Sequence, residues 1–238
     1  MIDLDEWRPL AVAALRETFG ERLLCVGLQG SYLRGEARPD SDIDLLVVLD
    51  HVELTDLDRF HEAMRAVPEG GKAVGFTCGR DELAAWPAYE LAQFEHGTQV
   101  WHGDLHALLP VYGQADVRLG ARVSVANLYH MTNHTYLTTR ELPADARLDA
   151  LRAMLKGFFF SLQIVHAVRA GVFVPTKREL LAVLDDPSEH MLLAHSIDPG
   201  EAREGDYSAL QQWCSALCKP CRPSEIGRRR LTEKGLAS

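Results

Sequence analysis

Asp42 and Asp44 stand two residues apart at the entrance to the apolar run Leu45-Leu46-Val47-Val48. Alternate side chains of a strand share a face, so both carboxylates point one way and Ile43 the other. Two acids this close repel each other and are costly to bury unpaired. A divalent cation removes that cost. Mg2+ takes one or two carboxylates together with substrate phosphates, and two ions bridged by such a pair activate an attacking oxygen and stabilise a leaving one. Upstream, Gly30 and Ser31 close a second apolar run, Leu23 to Leu28. Glycine lets the backbone approach a phosphate, Ser31 adds a hydroxyl, and the turn after it offers unpaired N–H groups. Arg34 and Arg38 bring positive charge to the same segment, and Ser41 directly precedes the acids. The expectation is a nucleotide-and-metal site. Asp42 and Asp44 are its catalytic metal ligands, and Gly30, Ser31, Arg34 and Ser41 bind the nucleotide. Lys156, followed by Gly157 and three consecutive Phe, is a candidate to reach the same phosphates from a distant helix.

The elements that must hold these residues are read from periodicity. Asp3 to Phe19 reads as a helix with Leu4, Trp7, Leu10, Ala11, Ala14 and Leu15 on one stripe, stopped by Gly20. Leu23 to Leu28 is a buried strand. Asp42 to Leu49 is a second strand, apolar on both faces after its acids and hence central. Thr55 to Val67 is a helix, with Thr55 as N-cap and Asp58 in its first turn. Lys72 to Cys78 is a third strand, Leu83 to Phe94 is helical with a break at Trp86-Pro87, and Thr98 to Trp101 is a fourth strand. Beyond them only helical patterns occur: Ala115 to Thr139, Ala146 to Ala170, a helix opened by the capping box Thr176 to Glu179, Ser188 to His195, and Asp206 to Leu217. The order implies an α/β or α+β unit over residues 1–108 and an all-helical unit over 115–221. Residues 222–238 lose apolar content and read as a frayed tail.

Composition limits the partners. Lys and Arg total 25 against 34 acids, a net charge of −9, which argues against a nucleic-acid footprint. A nucleotide remains open, and an acidic protein suits a cationic small substrate. No apolar run reaches the roughly 18 residues of a membrane helix, and the acidic opening Met1-Ile2-Asp3-Leu4-Asp5 is not a signal peptide. The expected location is the cytoplasm, with no membrane partner. Cys25 and Cys78 lie in apolar runs and read as core residues. Cys214, Cys218 and Cys221 form C-x3-C-x2-C, a spacing shared with iron–sulfur enzymes. Here it has no barrel-like pattern around it and reads as free thiols.

The stretches Ser31-Tyr32-Leu33-Arg34-Gly35 and Pro39-Asp40-Ser41-Asp42-Ile43-Asp44 resemble the signature of the DNA polymerase β-like nucleotidyltransferase superfamily. The likeness is strong over residues 24–50 and looser to about 108. A nucleotidyltransferase domain followed by a helical bundle is also similar to the bacterial antibiotic nucleotidyltransferases and the minimal nucleotidyltransferases. The resemblance implies an α+β fold, a mixed sheet flanked by helices and then an all-α bundle. It further implies Mg2+-dependent transfer, with two ions, of a nucleoside monophosphate from a nucleoside triphosphate (ATP as the commonest) to an acceptor hydroxyl, with release of pyrophosphate. By position, Gly30 and Ser31 would hold triphosphate and Asp42 and Asp44 metal.

One departure stands out. Members of this superfamily often carry a third carboxylate on the next core strand, as metal ligand or base. Here that strand has no acid, and Gly75 takes the expected position. Asp81, Glu95 and Asp104 in the first half, and His130, His134 and Glu141 near the first long helix, are the alternative bases; His130 and His134 share a helix face. The leading function is transfer onto a small molecule such as an aminoglycoside-like antibiotic, which predicts an acidic cleft between the halves. Transfer onto a protein or RNA, as in toxin–antitoxin-type enzymes, is the second. A nucleotide-binding module without catalysis is the third.

Overall fold

The computed structural model describes residues 2–219; the expected tail at 222–238 and Cys221 lie outside the described residues. Helix α1 (Leu4–Phe19) starts at Asp3, whose carboxylate accepts the Asp5 and Glu6 N–H groups. It buries Trp7, Ala11, Leu15 and Phe19, one residue per turn, while Leu10 is exposed. The stripe is thus narrower than the pattern suggested. Strand β1 (Leu23–Leu28), the short helix α2 (Gly30–Leu33) and strand β2 (Ile43–Leu49) come next. After them are α3 (Leu54–Arg65), β3 (Ala73–Gly79), α4 (Arg80–Ala84), α5 (Leu91–His96) and β4 (Gln99–Gly103). The break expected at Trp86-Pro87 separates α4 from a 3-10 turn, Ala88–Glu90, that leads into α5.

The sheet is mixed, in the order β3-β2-β1-β4. Strands β1 and β2 are antiparallel, β1 and β4 are antiparallel, and β2 and β3 run parallel. The continuous apolar runs of β1 and β2 are explained by burial on both faces. Val26, Leu28, Ile43, Leu45 and Val47 pack under α1 and α3, and Cys25, Leu46 and Val48 pack with Cys78, Leu83 and Phe94 on the other side.

Beyond the sheet, α6 (Gln114–Thr139), α7 (Ala144–Ala170), α8 (Lys177–Ala182), α9 (Pro187–Ile197) and α10 (Asp206–Cys218) form the helical half. Its core gathers Leu151, Leu155, Phe158, Phe159 and Leu162 of α7 with Leu180, Leu192, Leu193 and Leu210. By length and composition α7 could cross a membrane, but half of its most apolar window is buried against its neighbours. Cys25, Cys78, Cys214 and Cys218 form no disulfide among the described residues. Burial pushes the thiol of Cys25 up to about 11 and that of Cys214 up to about 12, where neither is a thiolate at neutral pH.

The cap of α3 differs from the expected one. Glu53, not Thr55, precedes the helix, and its N–H donates to Asp56 Oδ2 at 3.0 Å. Asp56, rather than Asp58, is the first-turn acid that matters. It is 3% exposed and accepts both ends of the Arg22 guanidinium, at 2.8 and 2.9 Å. Those bonds hold its carboxyl well below the usual carboxylate range, against the cost of burial. A depressed folded-state pKa contributes stability that is present above the unfolded value, near pH 3.9, and is lost as pH falls from there. Asp56→Asn is therefore expected to cost about 2–3 kcal/mol at pH 7, discounted for the partly exposed arginine. It should cost somewhat less at pH 3, where the unfolded carboxyl is mostly protonated while the folded one is still ionised. Urea titrations at the two pH values measure the difference.

Candidate active site

Gly30 comes directly after β1 and Gln29, with φ +68°, in the left-handed region. A Cβ there would stand 1.7 Å from Asp44 Oδ2, so the carboxylate occupies the space that any side chain would need. The turn and the acid are held in this apposition by the Gln29 N–H, which donates to the Asp44 carbonyl at 2.8 Å. Asp42 is exposed and Asp44 half-buried. Neither takes part in an ion pair among the described residues.

These residues line a cleft of about 1160 Å3 between the sheet and the helical half. That exceeds the roughly 300–1000 Å3 of most single-ligand sites. Gly30, Ser31, Arg34, Ser41, Asp42, Asp44 and Lys156 all border it. Ser41 has a structural task as well, since its hydroxyl accepts the Arg38 N–H at 2.8 Å and closes the loop. Arg34 donates to Glu36 at 3.0 Å, and its guanidinium lies 5.5 Å from the ring centres of Phe159 and Phe160 on α7.

The chemistry of Asp42 and Asp44 is compatible with Mg2+. Two carboxylates suit an ion that completes its shell with substrate phosphates and water. Among the described residues no cluster of three or more His, Cys, Asp or Glu could hold a metal by protein ligands alone.

Gly75 is not the position a third acid would take. It pairs with Leu45, whose side chain points away from Asp44, and a Cβ on it would meet the Leu45 carbonyl at 2.2 Å. The β3 residues on the Asp44 face are Val74 and Phe76, in register with Asp44 and Leu46. Phe76 borders the cleft, packed against Trp86 and Phe94 with ring centres 4.8 and 4.9 Å away.

None of the alternative bases named from sequence borders the cleft. Glu95 and Asp104 line a separate hollow of about 200 Å3 with His106. There the Glu95 carboxylate accepts the Tyr112 hydroxyl and lies 3.1 Å from His106 Nδ1. His130 and His134 are exposed on α6. The carboxylate that does reach the cleft from the first half's far side is Glu90. The Trp86 indole N–H fixes its Oε2 at 2.8 Å. Its turn lies hard against α6, where a Cβ on Gly120 would come within 2.4 Å of the Tyr89 carbonyl.

Lys177 is the second residue that sequence reading missed. It begins α8, borders the cleft, and donates from Nζ to the Ser196 carbonyl at 3.0 Å. Burial lowers its pKa, Glu36 opposes that, and Arg34, Lys156 and Arg38 add to it. The loop before it is anchored by Gln163, 5% exposed, which donates to the Val174 and Pro175 carbonyls at 2.7 and 3.0 Å.

The expected acidic cleft is not observed. Arg34, Arg38, Arg152, Lys156, Lys177 and Arg178 face Glu36, Asp40, Asp42, Asp44 and Glu90, and the helical half contributes no carboxylate to the lining. The chain's negative charge lies elsewhere.

Known proteins share this outline. A family model described as a nucleotidyltransferase domain matches residues 12–83. A protein adenylyltransferase, MntA, from Thermococcus cleftensis is 45% identical over 65 residues, which is 26% of this chain; the chain spans 62% of that relative's length. Among solved structures, spectinomycin adenyltransferase AAD(9) from Enterococcus faecialis, crystallised with ATP and spectinomycin, superimposes with a TM-score of 0.55 at 14% identity. The match covers 91% of this chain and 98% of that one. At such identity the likeness is one of fold, and it extends over both halves.

Proposed function

We propose, from the premise that residues 12–83 are a nucleotidyltransferase domain of the DNA polymerase β-like superfamily, that the chain adenylylates a small molecule. The reaction is transfer of a nucleoside monophosphate, with ATP as donor, to an acceptor hydroxyl. The observation that carries this reading is the Asp44 carboxylate lying directly over Gly30 in a cleft that also gathers cations from both halves. The acceptor oxygen bonds to the α-phosphorus, the bond from that phosphorus to the bridging oxygen breaks, and pyrophosphate leaves. Asp42 and Asp44 would hold one or two Mg2+ ions, which supply positive charge at the reacting phosphate. Ser31 and Arg34 from the sheet half, with Lys156 and Lys177 from the helical half, face the triphosphate. Glu90 takes the acceptor's proton.

An aminoglycoside-like acceptor is the first class to test. The near balance of charge in the cleft favours members with few ammonium groups over polycations, because six cations already face five carboxylates there. Pyrophosphate release from ATP and Mg2+ across a panel of hydroxylated amines and neutral polyols tests the reading; no release with any acceptor counts against it. Glu90→Gln keeps an acceptor for the Trp86 indole and removes the base. It is expected to lower kcat about 100- to 1000-fold with little change in the KM for ATP, read in the same assay.

A second reading has one specific observation in its favour, the 45% identity over 65 residues to a protein adenylyltransferase. Incubating a lysate with radiolabelled ATP separates the two. Label on a protein band supports the second, and label on a small molecule the first.

A further inference from the structure

We propose that Glu36 is a positioning residue that ties Arg34 of the sheet half and Lys177 of the helical half into one triphosphate-holding unit. The inference rests on the nucleotide reading above. Glu36 is half-buried on the loop after α2. Its Oε2 accepts Arg34 Nε at 3.0 Å, and its Oε1 accepts the backbone N–H of Lys177, 141 residues along the chain, at 2.8 Å. One carboxylate thus spans the cleft. Phe159 lies beneath both cations, with the Arg34 guanidinium 5.5 Å and Lys177 Nζ 5.6 Å from its ring centre. Phe159 itself is fully buried in the helical core and cannot shift to follow either.

The charges make the arrangement more than a hinge pin. Lys177 faces Arg34 and Arg38 from the sheet half, Lys156 from α7, and the carbonyl of Ser196 from α9. Glu36 is the anion that acts on it most strongly. A desolvated ammonium among three other cations is poised for an anionic ligand, and Glu36 opposes the lowering of its pKa by burial and by those cations. Glu36 therefore favours the charged form of Lys177 and holds its backbone in place, so that a triphosphate meets a preformed cationic wall.

The test is binding of α,β-methylene-ATP with Mg2+ to the full chain, by calorimetry from pH 7 to pH 10. Removing the carboxylate lowers the Lys177 pKa further. Glu36→Gln, which keeps an acceptor for the Lys177 N–H, is expected to weaken binding about tenfold at pH 7.5. It should also move the alkaline loss of affinity down by roughly one pH unit. Lys177→Met should abolish the alkaline limb, and Glu36→Gln added to it should move nothing further. A Glu36→Gln protein that binds as tightly as wild type overturns the proposal, as does one that binds weakly with its alkaline limb unmoved. Wild-type chain that binds no analogue at any pH overturns the nucleotide reading, and this inference with it. Glu36→Asp, which retains the charge on a shorter stem, should recover the position of the limb though not the full affinity.

Discussion

Asp44→Asn is expected to reduce pyrophosphate-releasing turnover by about a thousandfold, equivalent to roughly 4 kcal/mol of lost transition-state stabilisation. The effect is large because the strand leaves no substitute. β2 is paired on both sides, with β1 and β3, so another residue cannot slide into the place of Asp44. Val74 and Phe76, its neighbours on the same face, have no oxygen to offer. The substitution should leave the fold intact, since no ion pair among the described residues depends on this acid and its repulsion with Asp42 is relieved. A thermal melt should show a midpoint equal to or above wild type. Turnover within tenfold of wild type would remove Asp44 from the chemistry.

Gly30→Ala is expected to match that loss by a different route. The residue sits at φ +68°, which costs an alanine about 1–2 kcal/mol. The larger consequence is steric. The new methyl would stand 1.7 Å from Asp44 Oδ2, so the carboxylate has to leave its position before the chain can fold around the alanine. Gly35 supplies the control. It has nearly the same φ, +67°, and open space where its Cβ would be. Gly35→Ala should cost similar stability in a urea titration and keep turnover within a fewfold of wild type. If both variants lose activity equally, backbone strain and not the displaced carboxylate is responsible.

Much of the site was legible because it depends on local rules. Alternation along a strand puts Asp42 and Asp44 on one face whatever surrounds them. A glycine-serine pair after an apolar run marks a turn, and Asp44 packs directly against that turn. The end of β1 and the C-terminal end of α7 were equally plain, one closed by Gln29-Gly30-Ser31 and the other by Gly171. Glu90 and Lys177 were not legible, for a shared reason. Each reaches the cleft through tertiary packing: Glu90 because its turn is pressed against α6, Lys177 because α8 is docked by Gln163 and Glu36. Their side chains carry no periodic or motif signal. The neighbour of Asp44 on β3 was misassigned because register, not sequence, decides which residue faces it. The α3 cap was misread because two capping patterns overlap, and burial selected the one whose acid also binds Arg22.

The close approach of Gly120 to the Tyr89 carbonyl has a further meaning. The reach of Glu90 into the cleft is set by the thickness of a bare backbone on a helix that belongs to the opposite half. A single methyl on α6, at a position that does not border the cleft, would act as a shim under Glu90. With Glu90 in its proposed role, activity would be lost, or retuned for an acceptor of different girth, at a position that a survey of cleft residues would pass over.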